Sequence, residues 1–323
     1  MHLQGKKVLF IGPAFYNYHY DIVDELSSCG AKVEYFPEIL NTLTYRFSRL
    51  YCKNYSKVLE KKYLNDIFEK LQDNYDYFFL IRGEIISSLF LDKLRLKIPK
   101  AVFIMYQWDS YENNPNYLKI LHYFDKVLTF DMVDAKKKLL DYLPLFYTKE
   151  YENLKLDMHK EYDIVFFGAY HSDRLSIVKK LHYQCLKQNL KFYSVVYISK
   201  MAFIIRLLKG EVSFTDYKYV TFQPVSKSVI LEAYKKTKSV LDIESIGQEG
   251  LTIRTLEVLG ASIKLITTNK NIQNEQFYDK KKILFLKRGN MKDIDQNFFI
   301  SDNSQNAFLK EYSLEKWVKR IFS

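Results

Sequence analysis

The amino-acid sequence predicts an α/β protein made of two doubly wound domains. Short apolar runs alternate with longer segments of helical periodicity, and strands that alternate with helices form parallel sheets with right-handed crossovers. The alternation stops in a charged, irregular stretch that follows 143–145 and continues to Lys160, and then it starts again. The length of 323 residues exceeds what one hydrophobic core usually fills. We expect one domain over 1–155, a second over 156–305 and a last helix within 306–323.

The first domain begins with a strand at 8–11 and a helix at 18–29, which ends at Gly30. The N-terminal apolar run becomes polar within a few residues, so we interpret it as a strand and not as a signal peptide or a membrane span. The pattern then predicts strands at 32–36, 77–81, 101–106 and 126–130, with helices at 55–72 and 86–96.

The second domain repeats the pattern after Lys160. A strand at 163–167 leads through Gly168 to a helix at 172–188. The remaining elements are strands at 191–196, 219–222, 239–243, 264–267 and 283–285 and helices at 229–236 and 313–322. No Gly-rich or Ser-rich linker interrupts the chain, so we expect short connections between the domains.

The composition indicates a globular protein of a reducing compartment. Apolar residues make up 48% of the chain and charged residues 27%, which disfavours disorder. Cys29, Cys52 and Cys185 are odd in number and widely separated, so they predict neither a disulfide framework nor a metal site. We expect a cytoplasmic location.

The formal net charge of +11 indicates an anionic partner. Nucleic acid, anionic lipid and nucleotide diphosphates all bind positive surfaces. Lys and Arg alternate with Phe, Tyr, Ile and Leu in 44–63 and 197–209, which favours peripheral contact with an anionic membrane, at the inner face of the plasma membrane, over nucleic acid. The same pattern is typical of amphipathic helices that pack on a core and expose their lysines.

Polar side chains follow several strands of the first domain. Strand 77–81 leads to Glu84, and strand 101–106 leads to Asp109. A carboxylate held at the end of an apolar strand can act as a general base, because partial burial raises its pKa. Asp109 is our first candidate, Glu84 the second and His19 a weaker third, although each carboxylate could instead be an ordinary loop residue. Gly12 would let a sugar approach the backbone.

The glycine turn at Gly168 leads to a helix with Arg174 in its first turn. A phosphate group at that helix N-terminus would meet backbone N–H groups and the positive end of the dipole, and Arg174 could bind its oxygens with two donors. His171 could add a hydrogen bond, but a lone loop histidine is more often incidental. No GxGxxG or P-loop pattern occurs, which disfavours a nicotinamide dehydrogenase and a P-loop NTPase.

Residues 246–261, with the sequence IGQEGLTIRTLEVLGA, contain two glutamates separated by seven residues, Glu249 and Glu257. A helix that begins near Gly250 would direct its N-terminus at the end of the preceding strand, and Arg254 and Glu257 would share one face. This arrangement suits a nucleotide diphosphate. The alternative is that Glu249 is an ordinary acid at a helix N-terminus and Glu257 a solvated residue.

This segment resembles the donor-binding segment of GT-B glycosyltransferases, above all the bacterial capsule and lipopolysaccharide enzymes and their CgeB-like relatives. After the first glutamate the family motif continues with glycine, aromatic, glycine, leucine and proline. This sequence has Gly250, Leu251, Thr252, Ile253 and Arg254, so it departs from the motif after Gly250. The preceding order of strand, turn, helix and strand over 219–243 also resembles these enzymes. By this resemblance, Gln223 and Val225 would contact the nucleotide base.

The resemblance implies two Rossmann-like domains that face each other across a cleft, with the last helix returning to the first domain. It implies transfer of a sugar from a nucleotide diphosphate-sugar, with UDP favoured, to a hydroxyl of a surface polysaccharide or a lipid-linked oligosaccharide. A DxD metal motif is missing from the sequence, so we expect a metal-independent reaction without a cofactor. The alternatives are a nucleotide-sugar 2-epimerase of related fold and a non-catalytic binder of nucleic acid or anionic membrane.

Overall fold

The computed structural model describes residues 3–290, 294–300 and 307–323, so the predicted boundary at 305/306 lies outside the described residues. Contacts divide the chain into two compact units. Unit 1 comprises Met1–Pro144 and Leu314–Ser323, and unit 2 comprises Leu145–Ser313. Each unit contains a six-stranded sheet in which every pairing is parallel, with helices between the strands, as the sequence predicts.

Unit 1 follows the strand order β2-β1-β3-β4-β5-β6. Three of its helices, α2, α4 and α5, begin where a short polar side chain caps them, because Thr42, Ser87 and Asp131 accept hydrogen bonds from first-turn N–H groups. Its elements are β1 (Lys7–Gly12), α1 (Tyr18–Ser28), β2 (Lys32–Pro37), α2 (Leu43–Tyr51), α3 (Lys53–Lys70), β3 (Tyr77–Ile81), α4 (Ser88–Lys97), β4 (Val102–Gln107), β5 (Lys126–Thr129), α5 (Met132–Lys138) and β6 (Asp141–Tyr142).

Unit 2 follows the strand order β12-β11-β10-β7-β8-β9. Its elements are α6 (Lys149–Glu152), β7 (Tyr162–Ala169), α7 (Arg174–Lys187), β8 (Phe192–Tyr197), α8 (Lys200–Leu208), β9 (Val220–Thr221), α9 (Lys227–Lys235), β10 (Thr237–Asp242), α10 (Ile253–Gly260), β11 (Lys264–Thr267) and β12 (Ile283–Phe285). Short 3₁₀ segments cover Pro115–Tyr123 in unit 1 and Phe214–Tyr219, Lys270–Asn274, Gln296–Phe299 and Ala307–Tyr312 in unit 2.

The cores lie between the sheets and their helices. The central strands are almost continuously apolar, because parallel sheets are covered on both faces. Completely buried examples are Phe78 and Phe103 in unit 1 and Phe166 and Leu241 in unit 2.

The last helix, α11 (Leu314–Ile321), belongs to unit 1. Its Trp317 is buried, with the ring 4.8 Å from the ring of Tyr106. The Lys126 ammonium donates to the carbonyl oxygens of Arg320, at 2.7 Å, and Ile321, at 3.1 Å. A cation at the carbonyl end of a helix stabilises it, and so this short helix is fixed at both its apolar face and its end.

In each sheet the chain first adds strands on one side of its first strand and then crosses over to add strands on the other side. In unit 2 this switch point lies between β7 and β10, and in unit 1 it lies between β1 and β3. Ligands of open parallel sheets bind outside the carboxyl ends of the strands at such points. The residues that follow these four strands are therefore the first to consider for chemistry.

Candidate functional site

Three arginines gather beyond the carboxyl ends of the strands in unit 2. Arg174 starts α7, Arg254 lies in the first turn of α10, and Arg288 follows β12. Two buried carboxylates lie at the end of β10. Asp242 is its last residue, and Glu244 follows two residues later. The sequence analysis selected Arg174 and Arg254 but missed both carboxylates and Arg288.

Arg174 is held by backbone oxygens. Its Nε donates to the carbonyl oxygen of Ile243 at 2.9 Å, and its Nη1 donates to that of Ala169 at 3.4 Å. Among the described residues, it forms no ion pair with a carboxylate. Burial, followed by repulsion from Arg254, lowers the pKa of Arg174, so its charge is only incompletely compensated. A bound anion would supply the missing compensation.

Arg254 is oriented by Asp242. The guanidinium Nη1 lies 3.5 Å from Oδ1 of Asp242, and Oδ2 accepts the hydroxyl groups of Thr252 at 2.6 Å and Thr255 at 2.8 Å. Thr252 also caps α10, because its side-chain oxygen accepts the N–H of Thr255. The helix therefore begins at Ile253 and not near Gly250, with its first turn tied to the end of β10.

Arg288 joins two loops through carboxylates. Its Nε lies 3.1 Å from Oε1 of Glu244, and its Nη1 lies 2.5 Å from Oδ1 of Asp173, the residue before α7. The Thr268 hydroxyl donates to the other oxygen of Glu244 at 2.5 Å. The positive charge of Arg288 is already balanced by two carboxylates, so its role is to hold the two loops together. Arg174, which has no such partner among the described residues, is the better candidate to bind an anion.

The loop with the first glutamate is held by two asparagines that follow β11. The Asn271 amide donates to the Glu249 carboxylate at 2.5 Å and to its carbonyl oxygen at 2.9 Å. The Asn269 amide donates to the Gly250 carbonyl oxygen at 3.1 Å, and Leu251 is buried beside it. Glu249 therefore has a defined position and remains half-buried.

Glu257 is almost completely buried, at 5% exposure. Burial raises the pKa of the Tyr151 phenol, and the charge of Glu257 and a hydrogen bond to it raise that pKa further. The second glutamate of the motif thus contacts Tyr151 of α6. It is not a solvated helix residue, contrary to the alternative considered from the sequence.

The remaining predicted donor residues lie near other strand ends. Gln223 is exposed and Val225 half-buried in the loop after β9, three strand positions from β10, or roughly 14 Å at the usual strand spacing. Gly168 lies within β7 and not in a turn, and a Cβ there would meet the Phe166 ring at 2.6 Å. His171 is exposed, with Nδ1 2.5 Å from the Ser172 hydroxyl.

Unit 1 brings two of the predicted bases to one arginine. Arg82 follows β3, and its guanidinium contacts the carboxylates of Glu84, of Asp109 after β4, and of Glu38 after β2. Glu84 also pairs with Arg49. The sequence analysis named Glu84 and Asp109 but missed Glu38, which is completely buried.

Asp109 has the environment expected of a base. Its side chain is 38% exposed, so it is accessible, and Arg82 Nε lies 3.6 Å from Oδ2. Burial raises the pKa of Asp109, while the charge of Arg82 opposes that rise. Glu84 is already paired with two arginines, so its oxygens are less available to an acceptor hydroxyl than those of Asp109.

His19 and Gly12 lie beside the switch point of unit 1. His19 is 6% exposed, its ring stacks on Tyr35 at 5.0 Å, and its Nδ1 has no hydrogen-bond partner among the described residues. Burial lowers the pKa of His19, which favours the neutral imidazole. Gly12 ends β1, and its carbonyl oxygen accepts the Tyr35 hydroxyl at 3.0 Å.

The missed residues differ in how well the sequence signals them. Glu244 and Glu38 come one and two residues after predicted strands, much as Asp109 follows 101–106, and Asp242 lies near the end of one, so attention to strand ends could have selected them. Arg288 gives no such signal, because it is 115 residues from Asp173 and 44 from Glu244, and only the sheet brings the three together.

Within the described residues, no group of three or more His, Cys, Asp and Glu side chains is arranged to hold a metal ion. None of the described helices combines the length and the apolar composition needed to cross a membrane.

Comparison with known proteins shows the fold. Models of protein families give no match to the sequence, and curated proteins give none either. Among solved structures, Anabaena Alr3699/HepE in complex with UDP and glucose matches with a TM-score of 0.60 and 11% identity over 98% of both chains. A glycosyltransferase from Rickettsia africae matches with a TM-score of 0.56 and 13% identity over 99% of this chain and 94% of that one. The chain thus has the two Rossmann-like domains of GT-B glycosyltransferases.

Proposed function

We propose that the chain transfers a sugar from a nucleotide diphosphate-sugar to a hydroxyl group of a bacterial surface polysaccharide or a lipid-linked oligosaccharide. The observation that carries the proposal is the pair of Arg174 and Arg254 at the switch point of unit 2. Arg174 is partly buried, fixed by two carbonyl oxygens and without a carboxylate partner among the described residues. A diphosphate supplies the charge that such a site lacks.

The donor would extend along the carboxyl edge of the unit 2 sheet. Arg174 and Arg254 would bind the diphosphate, and Glu249, positioned by Asn271, would bind the donor sugar. Gln223 and Val225, three strand positions along the sheet edge from β10, would contact the base. Glu257 would support the site indirectly, by holding α10 through its contact with Tyr151, since its burial leaves little surface for direct contact with the donor.

Asp109 would be the general base of an inverting reaction. Its carboxylate would take the proton of the acceptor hydroxyl while that oxygen bonds to the anomeric carbon. The bond to the nucleoside diphosphate breaks in the same step, and the arginines would stabilise the negative charge of the leaving group. In a retaining reaction, the donor phosphate would instead take the proton.

A panel of nucleotide sugars tests the donor class. A ligand that binds only the folded protein stabilises it by about 2.7 kcal/mol at 100 times its Kd, so the matching donor should raise the Tm measurably. UDP-sugars are the first to test, because the similar HepE structure contains UDP and glucose. If no nucleoside diphosphate or nucleotide sugar raises the Tm, the proposal is wrong.

Turnover then distinguishes transfer from epimerisation. Release of nucleoside diphosphate that requires an added glycan acceptor supports transfer. Conversion of the nucleotide sugar to an epimer without any acceptor would support the 2-epimerase alternative instead.

The surface of α2 supports peripheral contact with an anionic membrane on the cytoplasmic side. Leu43, Phe47 and Leu50 are 82%, 62% and 74% exposed, the exposed Arg46 lies among them, and the exposed Lys53 follows at the start of α3. Exposed apolar side chains mixed with basic ones suit an interface with anionic lipid, where a lipid-linked acceptor would lie. The α8 helix repeats this composition, with exposed Met201 and Leu208 beside basic residues.

A further inference from the structure

Two carboxyl groups of unit 1 lie within ion-pair distance of the same N–H group of Arg82. Nε of Arg82 lies 3.5 Å from Oε2 of Glu38 and 3.6 Å from Oδ2 of Asp109. An arginine Nε carries a single hydrogen, which can be directed at only one of the two oxygens at a time. Glu38 therefore competes with Asp109 for Arg82.

The backbone of Arg82 is fixed independently of that competition. Arg82 has φ 76°, a left-handed conformation that is unfavourable for a residue with a side chain. Its carbonyl oxygen accepts two amide hydrogens, from Gln107 at 2.7 Å and from Asn114 at 3.0 Å, and both amide side chains are buried. Such conformations persist where surrounding groups hold them, and they are concentrated at functional sites. The guanidinium thus starts from a fixed backbone, its Nη2 pairs with Glu84, and its Nε faces both Glu38 and Asp109.

The surroundings of Glu38 suit a neutral carboxyl group. Its side chain is completely buried, Oε1 accepts the backbone N–H of Glu84, and Oε2 has no hydrogen-bond partner among the described residues. An ionised carboxylate so placed would keep unsatisfied lone pairs in a dry environment.

Charged and titratable groups surround Glu38 on several elements: Arg82, Glu84, Asp109, Arg49, Tyr35 and Tyr45. Burial raises the pKa of Glu38 to about 8, Arg82 opposes the rise, and the charge of Asp109 adds to it.

We propose that Glu38 is a positioning residue of the acceptor site, which in its neutral form leaves the Arg82 Nε–H to Asp109 and in its ionised form withdraws it. The role rests on the proposed function, in which Asp109 takes the acceptor proton. With Arg82 directed at it, the Asp109 carboxylate is oriented and kept ionised. Once Glu38 loses its proton, Arg82 turns to the buried charge and Asp109 loses its orientation.

The pH dependence of kcat/KM tests the role. In the wild type, kcat/KM should fall about tenfold per pH unit above pH 8, as expected when one ionisation inactivates the enzyme. Glu38→Gln keeps the shape and an acceptor oxygen but cannot ionise, so this basic limb should disappear while donor KM stays unchanged. Glu69→Gln, an exposed residue of α3, should keep the wild-type profile. A Glu38→Gln enzyme that retains the basic limb, or that loses activity equally at every pH, would overturn the proposal.

Denaturant unfolding between pH 5 and 9 provides a readout without turnover. Because the native pKa of Glu38 is higher than its unfolded value, the native state binds more protons, and stability falls as the pH rises towards about 8. Glu38→Gln should reduce this fall, and Asp109→Asn should move it to lower pH by removing the charge that raises the pKa. The second variant decides the matter if the first does not fold. An unchanged pH dependence in the variants contradicts a neutral Glu38, whereas a wild type that shows the fall but transfers no sugar contradicts the proposed function.

Discussion

At the scale of single residues, substitutions of Arg174 and Asp109 should affect different steps, donor binding and sugar transfer. We expect Arg174→Gln to weaken nucleoside diphosphate binding by about 1.5 to 3 kcal/mol, the usual contribution of a hydrogen bond to a charged group. The substitution also removes the hydrogen bonds of Arg174 to the carbonyl oxygens of Ile243 and Ala169, but it breaks no ion pair among the described residues. Isothermal titration calorimetry measures it, with Lys180→Gln on the exposed face of α7 as the control. Equal affinities of the two variants would remove Arg174 from the donor site.

Asp109→Asn should have the opposite effect, with a lower transfer rate and an unchanged donor affinity. Loss of a general base typically lowers the rate by ~10² to 10⁴, while the donor, bound in unit 2, should keep its affinity. The measurement is kcat in a transfer assay together with calorimetry of the nucleoside diphosphate. Asp66→Asn, exposed on α3, controls for the change of charge. A variant with nearly wild-type kcat would transfer the role to Glu84 or His19, or would indicate a reaction without a protein base.

At the scale of elements, the first turn of α10 depends on the buried carboxylate at the end of β10. The Thr255 hydroxyl is fully buried and donates to Asp242 at 2.8 Å. Thr255→Val preserves the shape and removes this bond, so the free energy of unfolding should fall by about 2 kcal/mol. Chemical denaturation measures it, with the exposed Thr44→Val as the control. A loss no larger than that of the control would mean that Asp242 does not hold α10.

The same elements show what a sequence can and cannot predict. Strands β3 and β11 have the bounds expected from their apolar runs, because the interior of a strand covered on both faces must be apolar. The start of α10 was wrong by about three residues, because a Thr252 hydroxyl bond to a distant aspartate decides where that helix begins. Contacts such as Arg288 with Asp173 depend on strand order, which local patterns do not encode.

At the scale of the whole molecule, the two units reach the same layered architecture through different strand orders. Unit 1 extends its sheet by one strand before the switch, and unit 2 extends it by two. In both, the charged groups that the apolar strands exclude gather at the carboxyl edge. The same fold occurs in proteins of only 11% and 13% identity.

The net charge of +11 leads to a prediction about the whole protein. If α2 contacts the membrane, the protein should co-sediment with anionic vesicles and not with neutral ones. Each basic residue near such a surface contributes about 1 kcal/mol, and added salt should release the protein because it screens these charges. Combined Leu43→Gln, Phe47→Gln and Leu50→Gln substitutions should weaken attachment while leaving nucleotide binding unchanged.

A matched triple variant controls for the loss of exposed apolar surface in general. Leu96, Leu139 and Leu186 are 83%, 93% and 75% exposed and lie outside α2, so their replacement by Gln should leave vesicle binding intact. Replacing Lys200, Arg206 and Lys209 on and beside α8 measures what unit 2 adds. Its effect should be smaller than three lysines would give, because Arg206 is already paired with Glu211 and stacked on Tyr170 at 4.6 Å. Equal binding to neutral and anionic vesicles, or tight binding to duplex DNA, would exclude the membrane as the partner of this charge.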